Sequence, residues 1–317
     1  MTFQQLEYAL ALKRSGNFGR AAKSVGISQP AMSIQIRNLE QYIGLTLFDR
    51  SQKKVRITQE GEVFLDRAEL LITQTRQLKD LASQLGEGYY GKINIGIIPT
   101  LAPYLLPLFM EKLNKQFPKL TIFAEEAVTE EIIHGVKSGI FDVGIISTPI
   151  ESDVLFTFQP LFYERFLLFV SNKHPLFPKP KIDIEEVPKQ DILLLREGNC
   201  LRNQVDNICD LKTQNEPSST LFYFESTSIE SLCRIVEYKG GITVLPELTT
   251  LYFDSERETM IKELTGPKRV REISLVHLPK HVKVNTIDKI GQLIKESVPK
   301  KLLKKGNFDP VHTNLKV

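Results

Sequence analysis

A tight turn between two amphipathic segments near the N-terminus constrains the fold more than any other feature of this sequence. The segment GNFGRAAKSVGIS reads as a short helix that begins at Asn17 and ends at Gly26, and only Ile27 and Ser28 separate it from QPAMSIQIRNLEQYIG. Ser28 is a suitable N-cap for the second helix, and a proline is tolerated in its first turn. Two helices joined in this way predict a helix-turn-helix. Its core side chains should be Met32, Ile36, Leu39 and Ile43.

The second helix of this pair has a polar outward face. Gln and Arg side chains have the forked donors that suit base edges in the major groove. The basic segment DRSQKKVRIT follows and reads as a hairpin, which is positioned to contact DNA phosphates as a wing. A plain three-helix bundle with a charged face is the alternative, but cap, turn, outward face and wing agree on DNA binding. The predicted DNA-contacting residues are Ser28, Gln29, Pro30, Ser33, Arg37, Lys53, Lys54 and Arg56.

The charge of the chain is unevenly distributed. The net charge is +3, yet residues 1–60 contain nine basic and four acidic side chains, against 32 basic and 34 acidic in the remainder. A basic module on a near-neutral body favours a polyanionic partner, although solvated lysines can produce the same count. No apolar run is long enough to span a membrane, and the N-terminus does not read as a secretory signal. We therefore expect a protein of the reducing cytoplasm.

The N-terminal module contains the thirty-residue stretch AAKSVGISQPAMSIQIRNLEQYIGLTLFDR. This stretch resembles the N-terminal signature of LysR-type transcriptional regulators. The resemblance implies a winged helix-turn-helix over residues 1–58 that binds double-stranded promoter DNA, with RNA polymerase as a further partner. The residues that carry it are Ala21, Ala22, Ser28, Gln29, Pro30, Ala31, Ser33, Gln35, Ile36, Leu39, Glu40, Gly44, Leu47, Phe48 and Arg50.

A long helical pattern connects this module to the rest of the chain. Apolar and small residues recur at alternating spacings of four and three, which is typical of a coiled-coil seam and implies a partner helix. Packing of the stripe against its own domain is the alternative. The family resemblance favours a dimerising linker helix over residues 59–88 and an assembly between a dimer and a tetramer. The seam residues are Phe64, Ala68, Leu71, Thr75, Leu78, Ala82 and Leu85.

Strand and helix patterns alternate beyond Gly91 and predict an α/β fold with a parallel sheet. They include a helix that Thr129 caps and the strands DILLLRE and TLFYFES. The family resemblance implies a two-lobed regulatory domain, like a periplasmic binding protein, over residues 89–305. Lobe I would comprise 89–163 and 269–305, and lobe II 164–268. The sequence ends in the basic stretch KKLLKKGNFDPVHTNLKV, of which residues 306–317 are expected to be a flexible tail.

Two of the three cysteines lie nine positions apart in REGNCLRNQVDNICD. The run between Cys200 and Cys209 reads as helical, and nine helical steps rise about 13.5 Å and place the two side chains on opposite faces. A disulfide needs Cα atoms within roughly 4.4–6.8 Å. The segment is therefore either not helical or able to form the bond only when the helix unwinds. Cys233 fits a core position, and no histidine has metal-ligand spacing with the cysteines.

This stretch is similar to the sensor segment of the peroxide-responsive members of the same family, in which Leu-Arg follows a reactive cysteine and a second cysteine comes after the same gap. The resemblance implies that Cys200 reacts with hydrogen peroxide and that Cys209 then forms a reversible disulfide with it. The compared member has histidine where this chain has Asn199, which cannot titrate near neutrality. Positive charge would come from Arg202 and Arg271. The implied peroxide-binding residues are Thr100, Thr129, Asn199, Arg202 and Arg271.

The predicted function is that of a transcriptional regulator of antioxidant genes, without cofactor or metal. It would be an activator whose disulfide is reduced again by a thiol reductant such as glutaredoxin or thioredoxin. One alternative is a LysR-type regulator whose effector is a small metabolite bound between the lobes, with Thr100 and Thr129 in its pocket. An enzyme, a thiol peroxidase, is the other alternative, but a peroxidase does not need the DNA-binding module.

Overall fold

A computed structural model gives the fold of the chain in two compact units. One contains Met1–Gly88 and Lys137–Ile140, and the other contains Tyr89–Val136 and Phe141–Val317. None of the helices in the described ranges is long and apolar enough to cross a membrane. The structure describes residues 1–50, 55–84, 91–152, 156–209, 226–266, 269–279 and 281–316.

Three helices with side-chain caps form the first part of the chain: α1 (Phe3–Ser15), α2 (Phe18–Ser24) and α3 (Gln29–Ile43). The Thr2 hydroxyl, the Asn17 amide and the Ser28 hydroxyl each accept a backbone N–H of the helix that follows. These interactions satisfy N–H groups that have no partner within the helix. The predicted helix-turn-helix is therefore confirmed, and the residues Met32, Ile36 and Leu39 of α3 are buried.

A short antiparallel hairpin follows α3, with β1 (Phe48–Asp49) paired to β2 (Arg56–Ile57). Glu40 joins this hairpin to the helix, because its carboxylate accepts the backbone N–H groups of Leu47 and Phe48 and pairs with Arg50 at 2.7 Å. The positions of Lys53 and Lys54 lie outside the described residues.

The long helix α4 (Gln59–Gln84) has two different apolar faces. Leu65, Ala68 and Ile72 are buried and pack with α1–α3 in one hydrophobic core. Leu71 and Leu78 are 46% and 65% exposed, so the protomer itself leaves them uncovered. Of the predicted seam, Phe64 and Ala68 thus pack internally, and Leu85 lies outside the described residues.

The second unit is an α/β domain, as predicted. Its strands are β3 (Gly91–Ile97), β4 (Leu120–Glu126), β5 (Val143–Thr148), β6 (Thr157–Val170), β7 (Lys181–Asp183), β8 (Ile192–Leu193), β9 (Ile242–Pro246), β10 (Ile261–Thr265), β11 (Arg269–His277) and β12 (Asp309–Pro310). Its helices are α5 (Ala102–Gln116), α6 (Thr129–Ser138), α7 (Cys200–Cys209), α8 (Ile229–Lys239), α9 (Ser255–Met260) and α10 (Val284–Ser297).

The long strand β6 gives this domain its two lobes. Its first half pairs with β11, and its second half, Phe166–Val170, pairs with β9 and β10. In lobe I, β3 lies parallel to β4 and β5, and β11 is antiparallel to β5 and β6. Separate hydrophobic cores form around the two groups of strands. The two-lobed α/β fold is confirmed, with a sheet that is mixed rather than purely parallel.

Two local predictions are wrong, and both errors concern hydrogen bonds. Residues 309–316 are not a flexible tail, because β12 pairs with β11 and the N–H of Val311 donates to the carbonyl of Val270. Thr129 does not cap α6 but is its first residue, and its buried hydroxyl has no partner among the described residues. The strand predicted in DILLLRE is reduced to Ile192–Leu193, and residues 220–225 of TLFYFES lie outside the described ranges.

Candidate functional site

The outward face of α3 is open in the first unit. Gln29, Pro30 and Arg37 are exposed, and Ser33 is half-buried. Ser28 is occupied locally, because its hydroxyl accepts the N–H of Ala31. The helix therefore presents an amide, a hydroxyl and a guanidinium on one accessible surface. Arg56 is exposed on β2 of the hairpin.

Cys200 and Cys209 are the first and last residues of α7. Asn199 starts this helix, because its Oδ1 accepts the N–H of Leu201 at 3.0 Å and its carbonyl accepts the N–H of Asn203. Asparagine is among the best N-cap residues. The side-chain oxygen of Asn199 is thus occupied by the cap, so a contact with a small ligand would fall to its amide N–H groups.

The guanidinium of Arg271 connects the residues around Cys200. Nη2 donates to the hydroxyl of Thr100 at 2.7 Å and lies 3.8 Å from the Cys200 sulfur. Nη1 pairs with Glu164 at 3.1 Å, and both partners are fully buried. A cation this close stabilises a thiolate, and the N-terminal end of α7 favours the same anion. The predicted Cys200, Thr100 and Arg271 are thereby in one polar cluster.

Two polar atoms of the predicted site have no hydrogen-bond partner in the described protein. They are the hydroxyl of Thr129 and Nε of Arg271, and both are buried. An unpaired buried polar group costs free energy, so native structures normally satisfy it with protein, water or ligand. Each of these two atoms is therefore suited to bind a water molecule or a polar ligand.

The other two cysteines lie in apolar surroundings. Burial, followed by the negative charge of Asp206, raises the pKa of Cys209 to about 12. Burial likewise raises the pKa of Cys233 to about 12. All three cysteines are free thiols. Neither Cys209 nor Cys233 is therefore primed to react as a thiolate in this conformation.

Arg202 lies in a different environment from the one expected. Its guanidinium pairs with Asp206 at 3.0 Å and donates to the carbonyl of Leu195 at 3.3 Å. The sequence contained a signal for this pairing, because Asp206 follows Arg202 by four residues and such residues are neighbours on a helix surface. The cationic contact to the Cys200 sulfur comes from Arg271 instead, at 3.8 Å.

Sequence reasoning missed two buried residues of the site. Glu164 orients Arg271, and its second oxygen accepts the N–H of Leu248. Burial raises the pKa of Glu164 above its usual value, while Arg271 and the Leu248 N–H oppose that effect. Gln204, one turn after Cys200, is also fully buried. Glu164 had a signal in the sequence, because it lies within the apolar, strand-forming segment YERFLLFV and a buried carboxylate requires a partner.

No group of three or more His, Cys, Asp or Glu side chains within the described ranges has a geometry that could hold a metal ion. The chemistry available in the cluster is that of a thiol, a guanidinium and hydroxyl groups.

Two family models match the chain in succession. Residues 3–62 match the lysR family of bacterial regulatory helix-turn-helix proteins, and residues 86–298 match the LysR substrate binding domain. The second match alone covers more than half of the chain.

Curated relatives and solved structures agree with these matches. A hydrogen peroxide-inducible genes activator from Haemophilus influenzae is 35% identical over 94% of this chain and 97% of its own length. The dual regulator OxyR of Escherichia coli K12 is 33% identical over 98% of both. A full-length OxyR variant from Pseudomonas aeruginosa matches with a TM-score of 0.74 and 28% identity over 94% of this chain and 99% of its own. A hydrogen peroxide-bound OxyR mutant from Corynebacterium glutamicum matches with a TM-score of 0.59 and 25% identity, over 93% of this chain and 92% of its own.

Proposed function

The chain belongs to the LysR family of bacterial transcriptional regulators, and from this membership we propose that it is a DNA-binding activator that senses hydrogen peroxide. The observation that carries the proposal is the contact of Arg271 with both Cys200 and Thr100, and Nε of the same guanidinium is buried without a hydrogen-bond partner among the described residues. Relatives that are peroxide-inducible activators cover nearly the whole chain. They support this function over that of a regulator with a metabolite effector.

In the proposed first step the Cys200 thiolate attacks one oxygen of the peroxide. The S–O bond forms while the O–O bond breaks, and the departing hydroxide takes a proton and leaves as water, so that Cys200 becomes a sulfenic acid. Arg271 stabilises the attacking thiolate, and its Nε donates to the peroxide. The hydroxyls of Thr100 and Thr129 and the amide N–H groups of Asn199 hold the peroxide for attack. Arg202, in the first turn of α7 and paired with Asp206, would add a weaker positive charge.

In the second step the Cys209 thiol attacks the sulfenic sulfur. The S–S bond forms, and the thiol proton leaves with the hydroxyl as a second water. Because an intact α7 separates the Cα atoms of the two cysteines by about 13.5 Å along its axis, this step requires the helix to unwind. The repacking of Leu201 and Val205, both buried in lobe II, would transmit the redox state to neighbouring elements. A thiol reductant of the glutaredoxin or thioredoxin class would reverse the step.

The DNA-binding and assembly roles follow from the first unit. We propose that Gln29, Ser33 and Arg37 contact base edges of promoter DNA, with Ser28 and Pro30 fixing the start of the helix. Lys53, Lys54 and Arg56 would contact phosphates. The exposed Leu71 and Leu78 favour pairing of α4 with a second copy, as a dimer or within a tetramer. Contact with RNA polymerase and a cytoplasmic location complete the proposal.

Thiol counting before and after stoichiometric peroxide tests the proposed function. The count should fall from three to one, and non-reducing peptide mapping should join the peptides of Cys200 and Cys209. Cys200→Ser should abolish the response, and Cys209→Ser should stop at a sulfenic acid that dimedone traps. Cys233→Ser is the matched control and should behave like the parent. A full response in Cys200→Ser, or a bridge to Cys233, would overturn the scheme.

A further inference from the structure

Residues near the C-terminus form an extended segment beside α7, the helix that begins at Cys200. This segment, Asp309–Lys316, is called the strap below. Its side chains alternate, with Val311, Thr313 and Leu315 buried and the residues between them exposed. Such alternation is typical of a strand with one face on a core. The strap therefore belongs to the packed domain.

The strap is attached to α7 by a row of amide side chains. Asn203, Gln204 and Asn207 of α7 donate to the carbonyls of Thr313, Val311 and His312, at 2.9, 2.8 and 2.9 Å. A fourth bond runs in the opposite direction, from Nδ2 of Asn314 to Oδ1 of Asn207 at 2.9 Å. The four bonds extend along the part of α7 that would have to unwind.

The same strap is fixed to lobe I. Its first residues pair with β11, where Asp309 and Pro310 lie opposite Arg269 and Val270. Its last part is anchored near β5, because Thr313 donates to the carbonyl of Pro149 and Leu315 accepts the N–H of Glu151. The strap thus connects α7, which carries Cys200, to β11, which carries Arg271.

From this connection we propose that the strap positions Cys200 beside Arg271, and that its release from α7 limits closure of the Cys200–Cys209 disulfide. Gln204, one turn after Cys200, is the positioning residue for the thiol, whereas Asn203, Asn207 and Asn314 hold α7 against the strap in its helical form. The proposal rests on the proposed function for the identity of the two thiols. Unwinding of α7 carries Asn203 and Asn207 away from their carbonyl partners, so the four bonds oppose the second step and not the first.

The test measures the two steps separately in protein that lacks Cys233. Oxidation of Cys200 by hydrogen peroxide is followed in the Cys209→Ser background, and closure is followed by loss of the dimedone-trappable sulfenic acid when Cys209 is present. Asn207→Ala and Asn314→Gly each remove bonds between strap and helix. Glycine is chosen at position 314 because Asn314 has a φ of 57°, which glycine adopts without strain.

Each variant should accelerate closure by about fivefold per hydrogen bond removed, and leave the rate of Cys200 oxidation within about twofold of the parent. Alanine is a better helix former than asparagine, so the change in helix propensity at position 207 acts against this acceleration. Gln204→Ala, next to the first turn, should in addition slow the oxidation of Cys200. Asn307→Gly is the matched control, because Asn307 is exposed in the turn before the strap. It should close at the parental rate.

Diamide separates failure of this proposal from failure of the proposed function. It accepts the two hydrogens of Cys200 and Cys209 directly and closes the disulfide without peroxide. If peroxide leaves Cys200 unoxidised while diamide closes the variants faster than the parent, the proposed function fails and the role of the strap stands. Normal sulfenic acid formation with parental closure rates in both variants overturns the strap proposal. Equal acceleration in Asn307→Gly also overturns it, because loosening of the chain end would then suffice.

Discussion

Cys200 and Cys209 lie at the two ends of one ten-residue helix but pack into different hydrophobic cores. Cys200 belongs to the core of lobe I, where it contacts Arg271, whereas Cys209 belongs to the core of lobe II. A bond between them cannot form by rotation of side chains alone. It requires α7 to lose helical turns and one sulfur to leave its core, which couples the redox step to a change in packing.

The first prediction concerns the low reactivity of Cys209 in the reduced protein. Since its pKa is raised to about 12, its thiolate fraction at pH 8 should be about a thousandfold below that of a thiol with a pKa of 9. Iodoacetamide should therefore modify Cys209 far more slowly in the folded protein than in urea. The Cys200→Ser/Cys233→Ser variant isolates this reaction for mass spectrometry. Equal rates in the two states would show that Cys209 is already accessible and reactive.

A second prediction separates the stability of the Arg271–Glu164 pair from its chemistry. Arg271→Met alone leaves a buried carboxylate unpaired and should lower the free energy of unfolding by about 3–5 kcal/mol. Adding Glu164→Leu removes that carboxylate and should recover most of the loss. Peroxide oxidation of Cys200 should remain about 10²–10³-fold slow in both variants, because the stabilising guanidinium is absent. Urea unfolding and dimedone trapping measure the two effects. A stable double variant with parental oxidation would exclude Arg271 from the chemistry.

The third prediction concerns the cap at Asn199. Asn199→Ala removes the acceptor for the Leu201 N–H and should destabilise the domain by about 1 kcal/mol. Asn199→Ser retains a capping oxygen and should recover most of that stability. Thermal unfolding of the reduced protein compares the two variants. Equal losses in both would indicate that the amide acts through contacts other than the cap.

Sequence patterns predicted the first unit well because its determinants are local. The caps Thr2, Asn17 and Ser28 lie next to the helices they start, and the apolar residues of α3 keep helical spacing. The same reasoning correctly gave a helix between Cys200 and Cys209. Such features depend on neighbours within about one helical turn.

The site and the chain end depend on partners that are remote in sequence. The strap was expected to be flexible because it ends a basic stretch, with Lys304, Lys305 and Gly306 shortly before it, that reads as a polar tail. Its carbonyls instead accept bonds from amides more than 100 residues earlier. Arg271 is 71 residues from Cys200, and only the family resemblance linked them. The family resemblance also assigned the positive charge of Arg202 to the site, yet Asp206 is its partner. Periodicity does not contain this information.

The fourth prediction concerns assembly through α4. Leu71 and Leu78 are exposed in the protomer, so Leu71→Asp combined with Leu78→Asp should place charges in a helix pair and yield monomers. Gln74→Asp, at an exposed polar position of the same helix, should keep the parental mass. Sedimentation velocity of reduced protein distinguishes the forms. A double variant of unchanged mass would mean that another surface holds the assembly together.

The last prediction separates base contacts from phosphate contacts. Gln29→Ala and Arg37→Ala alter the exposed face of α3 and should each reduce discrimination between an enriched and a random duplex by about 1–3 kcal/mol. Arg56→Ala changes the exposed wing strand and should weaken binding to both duplexes equally, with a salt dependence lower by about one phosphate contact. Lys53→Ala and Lys54→Ala should act like Arg56→Ala. Fluorescence anisotropy at several salt concentrations, with a duplex selected from a random pool by the parent protein, measures both quantities. If Arg37→Ala keeps the parental affinity ratio while Arg56→Ala reduces it, the recognition surface lies on the hairpin and not on α3.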